Sequence, residues 1–447
     1  MLTWLRKLTS LLRNNTPPEG ISPSPESGDR PPLRKAIAIL AYNNLSYFTQ
    51  VFEAILAQTV DGRSASEQYD IFVFQDGLQE RHHQSRPDYE AIAALAQEKL
   101  GPANFFRRDR NLGIAMQFDA VERFLFIERE YDFAILFEHD FVIAPGYLEV
   151  LSRLAEHFRD DARVACISAH SDGFRASQEE QHRRKSEYIP MQHDWGAGVF
   201  RRAWLRREPY MARYYPLLSG TRFEERNHLL IQTWMNWMGF RTGATSQDYI
   251  KTCVDTALGQ LRLSTFPNLG LYIGIDGMHW TRKIYEEAGH HKTVIFDGDY
   301  GDPPPLTDDD YRRLLATQSK WFLTDGERFD YAAFAQRING GLEFPANALT
   351  TSVTREDVIA AYKIFLNRFP ESDAVIDPRI GLEPARMVQS FLLSDEFLSR
   401  QQFWPVMVEA AKRILARIPK NEPDSTRPVA VVDHPEPEGA PQPGQSQ

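Results

Sequence analysis

Cysteine is almost absent from this chain. Among its 447 residues only Cys166 and Cys253 occur, each inside an apolar segment, so buried packing is expected rather than a bridge. No apolar run reaches spanning length and no secretory leader is recognisable, because Met1–Arg13 is short and interrupted by Arg6 and Lys7; a cytoplasmic location is the expectation. An excess of positive charge is also missing. The net charge of −10 argues against a nucleic-acid-binding surface, so any polyanionic ligand must be handled locally, by a metal or a few placed cations. Two glycine motifs are lacking as well. The first strand–helix turn has no G-x-G-x-x-G, and G-x-x-x-x-G-K-[ST] occurs nowhere, which removes the backbone phosphate cradle of dinucleotide-binding dehydrogenases and P-loop phosphotransferases.

What is present is a substantial core. At 42% hydrophobic residues, the chain has material for about two to three domains. Leu2, Trp4, Leu5, Leu8, Leu11 and Leu12 fall at helical spacing with Arg6, Lys7 and Arg13 among them. The pattern fits an interfacial amphipathic helix, giving a peripheral membrane contact through residues 1–13, or equally a frayed terminal helix. Residues 17–32 are rich in Pro, Ser and Gly and read as a linker. From Lys35 onward, short apolar runs (36–41, 71–74, 105–106, 133–137, 164–168) alternate with helical periods (47–58, 89–100, 114–129, 147–158). This β-α-β-α series predicts an α/β fold whose mainly parallel sheet is covered on both faces.

In such sheets ligands bind beyond the carboxyl ends of the strands. Four polar clusters are predicted there: Tyr42-Asn43-Asn44, Gln75-Asp76-Gly77, Arg110-Asn111-Leu112-Gly113 and Glu138-His139-Asp140. The last is the most informative. Alternation along a strand puts Glu138 and Asp140 on one side and His139 on the other. Two crowded carboxylates are costly unless a cation joins them, and a divalent metal carrying a diphosphate is a common answer. A helix-capping acid or solvated turn is the plain alternative. Asp76 can accept an N–H from a base or a hydroxyl from a ribose.

These residues resemble those of glycosyltransferases of the GT-A type, most closely N-acetylglucosaminyltransferase I and its bacterial relatives. The landmarks are A-I-A-I-L-A-Y at 36–42, Q-D-G at 75–77, F-E-H-D-F-V-I-A-P-G-Y-L at 137–148 and V-A-C-I-S-A-H at 164–170; the resemblance covers roughly Arg34 to Trp280. It implies a Rossmann-like GT-A domain, with Asp140 and Glu138 on a divalent metal (Mn2+ or Mg2+) and Asp76 reading the uracil of a UDP-sugar. His139 stands where the family has a middle Asp near the donor ribose. Tyr42, Asn43 and Asn111 are placed with the donor, and Gly196 and Gly198 of D-W-G-A-G line the sugar and acceptor site. The family holds its base in an acidic pair before a helix, which points to Glu225 first and Glu224 second and implies inversion at the anomeric carbon. His279 is the candidate third metal ligand. A tight turn at 194–198, helix-dipole acids at 224–225 and an ordinary His279 are the plain readings.

The activity so implied is transfer of an N-acetylhexosamine-like sugar to a glycan, glycolipid or protein acceptor. Two other classes stay open. A sugar-phosphate nucleotidyltransferase would carry a Gly- and Arg-rich loop where this chain has Ala41-Tyr42-Asn43-Asn44. A non-catalytic, degenerate transferase draws support from His139. Beyond the transferase domain (34–299) and a connecting segment (300–349), residues 350–420 resemble a small helical module appended to some bacterial glycosyltransferases. Its signature is A-Y-x-x-x-L-x-R-x-P…F-L-x-S-x-E-F, with a capping box at Thr354–Asp357. Residues 1–33 precede the domain, and the Pro- and Glu-rich 421–447 reads as a disordered tail.

Overall fold

The alternating apolar runs become strands because both faces of the sheet are covered. In the computed structural model, residues 31–218, 223, 226–275, 281–324, 326, 329, 334, 353–366, 368–382, 387, 388, 390, 391, 394, 396 and 397 are described. Apart from a short ribbon of Thr59–Val60 with Arg63–Ser64, the strands are β1 Lys35–Ala41, β2 Asp70–Gln75, β3 Phe105–Arg107, β4 Phe133–Glu138, β5 Phe141–Ile143, β6 Val164–Ser168, β7 Tyr188–Pro190, β8 Ala197–Phe200, β9 Leu261–Thr265 and β10 Gly270–Tyr272. Eight of them form one sheet in the order β3-β2-β1-β4-β8-β6-β9-β7, while β10 and β5 pair separately.

The first half of the sheet matches the expectation. β2 and β4 flank β1 in parallel, with Ala41 opposite Gln75 and Leu40 opposite Glu138. The loops carrying Tyr42, Asp76 and His139 therefore leave one edge at one level. The second half adds antiparallel pairings. β8 enters antiparallel between β4 and β6, and β7 pairs antiparallel with β9. The sheet is mixed but parallel-rich, with four of its seven pairings parallel, because β8 comes back antiparallel beside β4 and separates it from β6.

The helices follow their apolar spacing. α1 (Leu45–Leu56) buries Phe48, Val51, Phe52 and Ile55, and the Asn44 side chain caps it by accepting from Tyr47 N. α2 spans Arg86–Leu100 and α3 Gly113–Arg123. α3 runs into a wider π turn at Phe124–Glu128, so the helical stretch expected to 129 is two kinds of helix. α4 (Tyr147–His157), α5 (Arg201–Tyr214), α6 (Gln247–Ala257) and α7 (Asp308–Phe322) complete the covering. Each fully buried Phe, such as Phe48, Phe52 or Phe133, contributes about 1.5–3 kcal/mol by leaving water.

The chain divides into two compact units: Tyr215 and earlier residues together with those from Met238 onward to 342, and a second unit of 216–237 with the residues after 342. In the second, α8 (Arg355–Leu366) opens on the expected capping box, since Thr354 N donates to Asp357 Oδ2 at 2.8 Å and Asp357 N donates back to Thr354 Oγ1 at 3.2 Å. The signature residues are this unit's core. Ala361, Tyr362, Leu366, Phe391 and Phe397 pack together, and the Arg368 guanidinium takes Glu396 with two bonds of 2.7 and 2.6 Å while lying over Tyr362. Among the described residues no helix is long and apolar enough to cross a membrane; residues 1–13 lie outside them.

Candidate functional site

At the β1–β3 edge the polar clusters bind one another. The Asp76 carboxylate, almost fully buried, accepts from Gly77 N at 2.9 Å, Leu112 N at 2.8 Å and Gly113 N at 2.9 Å. Asn111 Nδ2 donates to Gly77 O at 2.8 Å, and its Oδ1 accepts from Gln79 Nε2 at 2.7 Å. The Tyr42 hydroxyl accepts from Gln79 N and contacts His82 Nδ1 at 2.8 Å. A side chain at Gly77 would place its Cβ 2.3 Å from the Arg110 carbonyl carbon, so the loops after β2 and β3 need glycine to touch. Burial lifts the Asp76 carboxyl above its ordinary value, against the pull of its three N–H donors. Asp76 and Asn111, read from the sequence as ligand contacts, thus clamp two loops into one surface. Asn43 is half-buried beside them.

The acid end of β4 is built differently. β4 stops at Glu138, and a turn at 139–140 leads into β5, so strict alternation ends at the motif itself. His139 is held by the Leu40 backbone on the neighbouring strand; burial lowers its pKa, with Asp140 and that hydrogen bond opposing. Glu138 is pushed well above the usual carboxylate range by burial, and by the negative charges of Asp140, Asp248 and Asp194; Lys251 opposes them. Burial also raises Asp140, against His139 and a hydrogen bond from the Tyr272 hydroxyl. Among the described residues, Asp140 Oδ1 is buried with no hydrogen-bond partner. Gly274 must be glycine here, because a Cβ would fall 2.5 Å from Asp140 Oδ2.

Asp194, Asp248, Lys251 and Tyr272 were not singled out from the sequence as site residues. Only Asp194 carried a signal, as the first residue of D-W-G-A-G. The glycines of that segment serve the protein's own packing. A Cβ on Gly198 would meet the Phe133 ring at 2.0 Å, and one on Gly196 (φ +64°) would meet Phe141, Phe137 and the Tyr147 hydroxyl within 2.9 Å. On the side where a Cβ would stand, both glycines meet aromatic side chains. Trp195, just before them in the chain, lies in a stack, 4.4 Å from His193 and 4.1 Å from Tyr272, with both interplanar angles 4°. Glu224, Glu225 and His279 lie outside the described residues.

Among the described residues no group of three His, Cys, Asp or Glu is arranged to hold a metal ion. A divalent cation nevertheless suits what is there. Glu138 and Asp140 offer hard oxygen donors, Asp140 Oδ1 has no protein partner, and the local charge is under-compensated. Such a site takes its remaining ligands from phosphate oxygens and water.

No family model matches the chain, and no curated protein matches it. Among solved structures, the chain is similar to the mannosyltransferase PcManGT from Pyrobaculum calidifontis in complex with GDP-Man and Mn2+. The TM-score is 0.34 at 12% identity, over 93% of this chain and 94% of that one. It is also similar to GalNAc-T7 with UDP, GalNAc and Mn2+, with a TM-score of 0.33 at 11% identity, over 70% of this chain and 57% of that one. At these scores the likeness assigns no residue and no substrate here, and the functional reading rests on the site's own geometry.

Proposed function

We propose that the α/β unit is a metal-dependent glycosyltransferase of the GT-A type, moving a sugar from a UDP-sugar to a glycan, glycolipid or protein acceptor. One observation carries this reading: at the carboxyl end of a central strand, Glu138 is crowded by Asp140, Asp194 and Asp248, and Asp140 keeps a buried oxygen without a partner among the described residues. A protein gains nothing from such an arrangement unless a cation binds there. Bound at Glu138 and Asp140, with His279 as the third candidate ligand, a divalent cation (Mn2+ or Mg2+) would offset the charge on the leaving diphosphate. The loops clamped by Asp76 and Asn111, with Tyr42, Asn43 and His139, form the surface for the nucleoside. With three N–H bonds accepted, Asp76 retains one of its about four lone-pair sites, on Oδ2, for a uracil N–H.

The acceptor hydroxyl needs a carboxylate base as it attacks. Glu225 is that base and Glu224 the second choice, so the product has the inverted anomeric configuration. The donor sugar is of the N-acetylhexosamine type. The amphipathic pattern of residues 1–13 supports a peripheral contact with the cytoplasmic membrane face.

Calorimetry with UDP, with and without Mn2+, tests the central claim. Wild-type protein is expected to bind UDP with Mn2+ and much more weakly without it, and Asp140→Ala to lose the metal-dependent part. Metal-independent binding, or none at millimolar UDP, would replace this reading with a non-catalytic interaction role.

A further inference from the structure

Deep in the α/β unit, carboxylates are paired with buried cations. Arg207 Nη1 and Arg262 Nη1 meet on Asp255 Oδ2 at 2.8 and 2.9 Å. Lys251 Nζ reaches Glu122 Oε1 at 2.6 Å, and Trp204 Nε1 donates to the other Glu122 oxygen at 3.0 Å. Arg262 Nη2 binds Asp194 Oδ1. Asp140 is held by a neutral group instead. The Tyr272 hydroxyl donates to its carboxylate, and because Oδ1 has no hydrogen-bond partner among the described residues, the oxygen so held is Oδ2. The same two atoms flank Gly274, where a Cβ would fall 2.5 Å from both Asp140 Oδ2 and the Tyr272 hydroxyl. A neutral donor orients a carboxylate without cancelling its charge, so the charge stays available to a cation.

The direction of that hydroxyl is fixed from several sides. Tyr272 ends β10 and stands opposite Phe141 in the antiparallel pairing with β5. Its neighbour Ile273 N donates to Asp140 O at 2.9 Å, so one strand end holds both the backbone and the side chain of Asp140. The Tyr272 ring lies flat on Trp195, and Trp195 on His193. The Tyr285 hydroxyl donates to Tyr272 O at 3.2 Å. A side chain locked in this way holds its partner at little further cost in entropy.

We propose that Tyr272 is a positioning residue for the divalent cation, its hydroxyl holding Asp140 Oδ2 so that Oδ1 is the oxygen presented to the metal. The role rests on the reading of the acid end as a metal site. Tyr272 acts only through Asp140, as an outer partner that sets the orientation of a ligand.

Titrating Mn2+ into wild type and Tyr272→Phe, with and without UDP, and following the electron paramagnetic resonance of the free ion tests it. The substitution removes one hydroxyl and keeps the ring on Trp195. Melting temperature and near-ultraviolet circular dichroism should therefore stay near wild type, while Mn2+ affinity falls roughly 10- to 100-fold, the usual cost of losing such an outer partner. A change confined to packing would not move the metal affinity. If Tyr272→Phe binds Mn2+ as tightly as wild type, the hydroxyl serves packing alone and the proposal falls. Should Tyr272→Phe not fold, Gly274→Ala takes its place, because its methyl would have to push the two oxygens apart. The same loss of affinity is expected there, and an unchanged affinity overturns the proposal equally. Wild-type protein that binds no Mn2+ in either series overturns the reading of the acid end, and this role with it.

Discussion

Two carboxylate sites lie along one sheet edge, and they are built on opposite terms. Asp76, after β2, is answered by three backbone N–H groups of its own protein. After β4, Glu138 is crowded by Asp140 and two further acids, and one Asp140 oxygen is left unanswered among the described residues. The first arrangement contributes to folding; the second opposes it, because burial and like charge both disfavour ionised groups. The contrast locates function at the unsatisfied end, where a bound cation and diphosphate supply what the protein withholds.

The comparison breaks most sharply at Asp140. Asp140→Ala is expected to reduce sugar transfer to background while the metal-free protein melts at or above the wild-type temperature, since a repelling charge has gone. A variant that melts normally and turns over at the wild-type rate would end the metal assignment. Next in size is the base. Glu225→Gln should lower kcat by roughly 10²–10⁴-fold with UDP binding retained, and Glu224→Gln should do far less. Exchange of the two phenotypes would move the base to Glu224, and a product that keeps the donor's configuration would remove inversion.

At the satisfied end the expected effect is on stability. Asp76→Ala strands three N–H donors and should cost about 2 kcal/mol or more, read as a lower urea midpoint at unchanged slope; an unchanged midpoint would mean that the loops do not depend on the clamp.

The smallest effect is a pH dependence at His170, beside the Trp195 stack. Burial, with the charges of His193 and His290, lowers its pKa to about 3, against its hydrogen bonds to Asn268 and the Gly270 backbone. The unfolded value is about 6.5, so between these values the unfolded chain binds more protons and stability falls as pH falls. By pH 5 this amounts to about 2 kcal/mol. Relative to wild type, His170→Gln should flatten the loss between pH 6.5 and 5, as followed by denaturant midpoints. Parallel curves would show that His170 does not titrate on unfolding.

Much of this could be read along the chain. The strands of the first half were legible because each is an unbroken apolar run, and Thr354 announced its helix because a cap is a local hydrogen bond. Glu138 and Asp140 were legible as a pair for the same reason: two charges at the end of a buried strand conflict within three residues. The clamp at Asp76 was not, because two of its three donors come from a loop that another strand delivers. Nor was the placement of β8, which put Gly198 against Phe133; sheet order depends on which strands return beside which, and no local pattern encodes it.

By itself, then, the sequence determined the alternating elements, the acidic motif and the absence of a glycine phosphate cradle, all set by interactions among near neighbours. Only the tertiary structure decided that Asp194 and Asp248 crowd Glu138, and that Arg207, Lys251 and Arg262 belong to the interior. A lone Arg or Lys in a chain reads as solvated, and it becomes a buried partner only when distant segments bring a carboxylate to it before burial makes the charge too costly to hold.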